Sequence, residues 1–453
     1  MPFVDIYPIR APLSHNQEFL CPFDRGEAEG AFGDRHVLVA GWRISGRIDL
    51  DALRRALADV VARHEALRTS ILRGEGPHAQ LVHPPTMPPL VVRTLTPAPG
   101  ESRDGRAERL LNEVDATPFS PSHQPQLRAI VGRFDDTDAV LVLATHHTAT
   151  DAWSMRLIME DLSARYARHS GHPVPDDPPP PTYREFAAEQ LRGLESEPVR
   201  AARAYWRRKL RGAEILGLPT DSPRPPGVPN AYAAHRFLVE AGLTASVLGY
   251  ARATRSTPFV VLFAAYTVLL HNRTGAWDVT IPTFLAGRSD ERFQRTVGMF
   301  FSFVPLRTDL TGCDTLREAV ERTRRTCLEA YHHELPFGLI AAEAPELTRQ
   351  FADDNRTVVT FELLQSGFGD ADPPAGGLHA TEIRRRLLSQ EDSSHIPDGG
   401  LWAMDLLPSG EMVGSLKYNR NLVDVGTAAG LVDDYRRVLR AVVTTPDGPL
   451  KQI

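Results

Sequence analysis

At 453 residues the chain is longer than one ordinary hydrophobic core, and two or three domains are expected. Apolar residues make up 42% and charged residues 24%, a globular rather than a disordered composition. The formal net charge is −6 and no dense Lys/Arg patch occurs, so the footprint of a nucleic-acid binder is missing.

Met1 to Asp5 lacks the basic start and apolar core of a signal peptide. The longest apolar run, Phe259 to Leu270, falls short of the roughly 20 residues of a membrane span. The three cysteines, Cys21, Cys313 and Cys327, are too few and too widely spaced for a disulfide framework or a zinc cluster. A soluble, cytoplasmic protein is expected.

His36 to Ile44 reads as a strand, with Val37 and Val39 on one face and Leu38, Ala40 and Trp42 on the other. Asp49 or Asp51 can cap the next helix, whose Leu53, Leu57, Val60 and Val61 recur at helical spacing. Thr69 to Leu72, Gln80 to Val82 and Leu90 to Leu95 are short extended segments, and Arg106 to Val114 is helical. Leu127 to Phe134 and Ala139 to Ala144 flank a hairpin turn at Asp135 to Asp138. The second of these strands delivers His146 and His147. An amphipathic helix from Ser154 to Arg168 follows, burying Leu157, Ile158 and Leu162.

Pro173 to Pro181 holds six prolines in nine residues, a stiff linker and the best domain boundary. Glu185 to Leu210 is mostly helical, and Pro219 to Pro229 is a second loop. The order of elements then resembles the first half. Arg236 to Val239 is a strand, Leu243 to Ala253 a helix, and Thr257 caps a third helix with Pro258 at its first position. Asp278 to Phe284 is an apolar strand running into Ala286-Gly287-Arg288. Val297 to Leu306 is extended and Leu316 to His333 helical. Val358–Gln365, Leu378–Arg385, Leu401–Leu407 and Met412–Tyr418 are extended, and Gly426 to Val443 closes the chain as a helix. Two similar halves emerge, each mixing helices with an antiparallel or mixed sheet.

The chemistry concentrates in His146-His147-Thr148-Ala149-Thr150-Asp151. Adjacent histidines leave a strand in opposite directions, so only one can face a given cavity. Asp151 can orient an imidazole or pair with another group that stabilises the turn. A purely structural histidine at a strand end is equally compatible with the spacing. Two His and one Asp also resemble part of a metal site, but no further ligand stands at helpful spacing, so no metal is expected. Gly-x-Ser-x-Gly, a phosphate loop and a dinucleotide fingerprint are absent, and no cysteine has a neighbouring basic cluster. A histidine base without a side-chain nucleophile implies direct attack of one substrate on another.

The block His146 to Ser154 resembles the HHxxxDG motif of nonribosomal peptide synthetase condensation domains. Further blocks agree in the family's order: Leu13-Ser14 with Gln17, Arg63 to Thr69, Tyr183 to Ala187, Val297 to Phe300, His333 to Phe337, and Tyr418-Asn419. The resemblance covers essentially the whole chain. It implies an α/β (α+β) fold, a V-shaped pseudo-dimer of two chloramphenicol-acetyltransferase-like lobes, residues 1–175 and 176–453, with a central tunnel. His147 would be the catalytic base or the group that positions the nucleophile. His146, Asp151 and Arg288 would support it, Arg288 by pairing with Asp151. Ala152, Trp153, Ser302, Tyr418 and Asn419 would line or adjoin the tunnel. The chain departs from the family at Ala152, where the motif has glycine, and at Ser302-Phe303, where the later motif has Asn-Thr. No bound cofactor is implied. The phosphopantetheine arm of a discrete acyl or peptidyl carrier protein would bring the acyl donor, and a small alcohol or amine would accept it.

No adenylation or carrier segment accompanies the module, so a free-standing enzyme acting in trans is expected. The resemblance extends to free-standing members of actinobacterial pathways, enediyne pathways among them. An acyl-CoA-dependent acyltransferase, an epimerase-like member and a non-catalytic recruitment domain are the alternatives. A cyclising member would carry aspartates in place of the histidine pair.

Overall fold

The computed structural model describes residues 7–74, 76–364 and 377–450. Met1 to Asp5, read above for a signal peptide, and Gln365, the expected end of a strand, lie outside them.

The first lobe is built on a five-stranded sheet in the order His379–Glu382, Val37–Ser45, Asp138–His146, Leu127–Arg133, Leu90–Thr94. Asp138–His146 is buried on both faces, which explains its unbroken apolar run. Leu141 and Leu143 pack in one cluster with Leu57, Val60 and Ile158 from the helices Leu50–Arg63 and Ala152–His169. Val140, Val142 and Ala144 pack on the other side with Leu110 and Leu111 from the helix Arg103–Asp115. Asp49 caps the first of these helices, accepting from the amides of Asp51 and Ala52.

The second lobe carries a mixed sheet in the order Ser302–Asp309, Asp278–Leu285, Arg356–Leu364, Gly400–Leu406, Met412–Asn419, Tyr232–Val239. Arg356–Leu364 runs parallel to both of these neighbours, and its first residues also pair antiparallel with Gly217–Pro219. Behind the sheet lies the helix Pro258–Thr274, capped by Thr257, with every residue from Val260 to His271 buried. No single helix among the described residues is long and apolar enough to cross a membrane. Phe237, Phe361, Trp402, Met404 and Leu416 face the helices and form the lobe's core. By strand alternation Glu362, Ala403, Ser415 and Arg236 lie in a row on the opposite face, each in register with the next.

Three elements differ from the sequence reading. The helix expected over Glu185 to Leu210 is two helices, Tyr183–Arg192 and Glu197–Lys209, because Gly193 ends one and Pro198 opens the next. Val297 to Phe301 is not strand; the strand starts at Ser302, and the preceding backbone is engaged by side chains. Within Leu378 to Arg385 the strand is His379–Glu382, and it pairs with Trp42 to Ser45 in the first lobe's sheet. The chain then runs between the lobes, over the helix Arg103–Asp115, and rejoins the second lobe at Gln390, which bridges to Ala234.

Candidate active site

The strand Asp138–His146 pairs with Val37–Ser45 up to His146, opposite Val37. One residue on, the His147 amide donates to the His36 carbonyl at 2.9 Å, so the imidazole emerges from a backbone still held by the ladder.

His146 turns into the lobe and is fully buried. Its Nε2 donates to the Gly33 carbonyl at 2.9 Å, and its Nδ1 accepts from the Thr148 amide at 3.2 Å and the Thr148 hydroxyl at 2.8 Å. Both ring nitrogens are thereby engaged. Burial pushes its pKa down to about 3, so it stays neutral.

His147 points the other way. Its Nδ1 lies 2.9 Å from the Thr150 carbonyl, which only accepts, so Nδ1 carries the proton and Nε2 keeps a lone pair. His36 stacks on the ring at 4.8 Å between centroids and 28° between planes, and Phe301 of the second lobe meets it edge-on at 4.8 Å. His36 is anchored in turn by its Nδ1 to the Ala31 carbonyl at 2.9 Å. Burial lowers the pKa of His147 below the ordinary histidine value, and with the neighbouring imidazoles it lowers that of His36 further below it. His147 still keeps accessible surface although both lobes surround it. A neutral imidazole with a free nitrogen at such a place can take a proton from a bound hydroxyl or amine.

Asp151 does not touch this imidazole. It caps the helix Ala152–His169 by accepting from the Ser154 amide at 2.7 Å. Its carboxylate also receives Arg288 Nη2 at 3.1 and 3.3 Å and the Phe300 amide at 3.1 Å. Arg288 is buried and donates further to the carbonyls of Phe293 at 3.0 Å and Thr296 at 2.7 Å and to the Ser154 hydroxyl at 3.0 Å. Its guanidinium lies 3.9 Å from the centre of the Phe300 ring. The Ser154 hydroxyl bridges both ways to Gly298, 2.9 Å from its carbonyl and 3.1 Å from its amide. This buried knot ties the turn that bears His147 to the second lobe.

The first helical turn of the chain closes the knot from behind. Ser14 Oγ lies 2.7 Å from Tyr183 Oη, which donates to the Met299 carbonyl at 2.5 Å. Asn16 donates to the carbonyls of Phe300 and Phe301. Gly298 is required here, since a Cβ at that position would enter the Tyr183 ring. Away from the site, His64 bonds Asp161 at 2.6 Å and Glu65 pairs with Arg184 at 3.2 Å, a structural role for that block.

Ala152 is exposed at the start of its helix, and Trp153 is half-buried with Nε1 donating to the Gln294 carbonyl at 3.0 Å. Ser302, Tyr418 and Asn419 are engaged within the second lobe. Ser302 Oγ accepts from the Phe337 amide at 3.0 Å, Tyr418 belongs to the lobe's core, and Asn419 bonds Asn230 at 2.6 Å and the amides of Ala231 and Asn421. Sequence reasoning missed His36, Phe301 and Ser154. Only the strand register brings His36 beside His147, and nothing in its own neighbourhood marks it.

Comparison with known proteins identifies the family. Residues 35–453 match the family described as Condensation domain. A linear gramicidin synthase from Brevibacillus parabrevis is 31% identical over 89% of this chain, and phosphinothricin tripeptide synthetase PhsB of Streptomyces viridochromogenes is 31% identical over 97%. The chain spans 8% and 36% of those two proteins, respectively. The crystal structure of SgcC5 from Streptomyces globisporus superimposes with a TM-score of 0.93 at 46% identity, covering 97% of this chain and 100% of that one. The X-domain from teicoplanin biosynthesis shares the fold, with a TM-score of 0.78 at 24% identity over 99% of each chain. The two lobes are thus the chloramphenicol-acetyltransferase-like pseudo-dimer of that fold, and the chain belongs to the condensation-domain family.

Proposed function

We propose that the protein is a condensation enzyme that joins an acyl or aminoacyl thioester to a small alcohol or amine, forming an ester or amide. The donor would arrive on the phosphopantetheine arm of a discrete carrier protein, entering a tunnel between the lobes from one face while the acceptor enters from the other. The observation that carries this reading is His147. Its Nδ1 is fixed as a donor, Nε2 is free, and a histidine stack and a phenylalanine edge hold the ring. In the reaction Nε2 takes the proton of the acceptor as its oxygen or nitrogen attacks the thioester carbonyl. The tetrahedral adduct then expels the pantetheine sulfur, which leaves with that proton as the thiol. No enzyme nucleophile is consumed.

His146, Asp151 and Arg288 support this arrangement without touching the reacting atoms. Ala152 and Trp153 would border the acceptor's path at the start of the helix, and the methyl of Ala152 meets open space there. Ser302, Tyr418 and Asn419 would shape the tunnel through the elements they brace. SgcC5, matched over its whole length, was crystallised with (R)-(-)-1-(2-naphthyl)-1,2-ethanediol. A vicinal diol in so close a relative supports an alcohol acceptor.

The test offers carrier-bound and coenzyme A-bound acyl thioesters with alcohol and amine acceptors to the wild type and to His147→Ala. Carrier-dependent product is expected from the wild type, with kcat lower by about 10²- to 10⁴-fold in the variant. Equal rates for the two proteins would sink the mechanism. Equal use of coenzyme A thioesters would replace the carrier with a free acyl donor.

A further inference from the structure

Glu362 is the one acid in the row formed by Arg236, Glu362, Ala403 and Ser415 on the second sheet's inner face. Its strand neighbour Phe361 points into the core, so Glu362 points to the face turned toward the first lobe. Glu362 is half-buried there, with part of its surface still accessible. Among the described residues no hydrogen-bond or ion-pair partner reaches its carboxyl.

The neighbouring charges are already engaged. Asp405 is bound by Arg384 at 3.0 Å and faces Arg156 from the helix that follows His147. Lys417 donates to Ser394 Oγ at 2.6 Å and is balanced by Asp115, itself bonded to Ser394 and Gln390. On the neighbouring strand Thr283 is in register with Phe361, so Phe284 shares the face of Glu362; its ring meets Phe301 at 5.3 Å, and Phe301 meets His147 at 4.8 Å, which carries this face to the His147 site. Burial and the Asp405 charge push the Glu362 pKa up to about 7. An acid of this kind is poorly solvated when ionised, and a cation beside it restores the ionised form. Ala403 lies directly beside Glu362 in register and Ser415 beyond it, so short side chains flank the carboxyl on that side.

We propose that Glu362 is a specificity-determining residue that binds a free ammonium group on the acyl donor. The ammonium is assigned to the donor because an amine that attacks must be neutral, and the diol acceptor favoured above carries no amine. The donor is therefore an aminoacyl group with an unblocked amine. This deepens the condensation reading and rests on it.

The experiment loads a discrete carrier with acyl groups that differ only in the amine. Phenylalanyl and 3-amino-3-phenylpropionyl are each set against 3-phenylpropionyl, with a vicinal diol as acceptor, for the wild type, Glu362→Gln and Glu362→Ala. The wild type is expected to favour an amine-bearing donor by about 10- to 100-fold in kcat/KM. Both variants should lose that preference through KM while turning over 3-phenylpropionyl within about threefold of wild type. An unchanged preference in the variants overturns the proposal, and so does an equal loss on all donors, which would make Glu362 structural. If the wild type condenses none of the loaded carriers, the condensation reading itself fails, a result distinct from either of these.

Discussion

The Nδ1 proton of His147 is spent on the Thr150 carbonyl, so proton uptake at this site has a single address, Nε2. Burial lowers the pKa of that imidazole, so it remains neutral below the ordinary histidine value near 6.5. The acid limb of kcat/KM should therefore fall below pH 6.5; a limb at or above that value would contradict the assignment. His36 contributes by geometry alone. His36→Leu removes the stacked ring and should lower kcat by about 10- to 100-fold with little change in KM, while circular dichroism shows an intact fold. His146 has a different signature. It is neutral in the folded protein down to about pH 3, whereas the unfolded chain binds a proton there near pH 6.5. Its contribution to stability is full above pH 6.5 and is lost as pH falls toward about 3. Between pH 6.5 and 5 the melting temperature should fall less steeply in His146→Asn than in wild type.

At the scale of elements, the turn after the strand Asp138–His146 is held by a cap and an ion pair that share Asp151. Arg288→Ala leaves that buried carboxylate without its cation and should cost about 3–5 kcal/mol in chemical denaturation. Adding Asp151→Ala should then cost less than it does alone, the sign of coupling in a double-mutant cycle. Gly287 precedes the arginine at φ +63°, where a Cβ would enter the Phe300 carbonyl, so Gly287→Ala should displace Arg288 and mimic its loss. Much at this scale is legible in the sequence. The alternation from Val37 to Trp42, the Thr257–Pro258 start and the hairpin at Asp135 to Asp138 all follow local rules. Val297 to Phe301 misleads because it is apolar like a strand, while Asp151, Ser154, Asn16 and Tyr183 claim its amides and carbonyls. The break between the two helices after Tyr183 has a signal in Ser196-Glu197-Pro198, a helix start that the apolar spacing of Glu185 to Leu210 conceals.

At the scale of the whole molecule, the pairing of His379–Glu382 with Trp42 to Ser45 joins residues that no local pattern relates. The sequence reading sets the change of lobe at the proline-rich segment from Pro173 to Pro181, yet the first lobe's core includes Ala380 from far beyond it, fully buried. The His36–His147 stack and the row around Glu362 were hidden for the same reason, since both depend on register between distant strands. Residues 1–175 expressed alone should therefore aggregate or melt early, because their sheet keeps an open, partly apolar edge. Co-expression with residues 176–453 should restore a soluble complex, as read by size-exclusion chromatography. The same pairing sets a schedule during synthesis. The ribosome makes the strand Val37–Ser45 about 330 residues before its edge partner, and at roughly 5–20 residues per second that interval lasts tens of seconds. Throughout it the nascent lobe can complete its helices and its hairpin but not its sheet, so the vulnerable period ends only when His379 to Glu382 clear the exit tunnel.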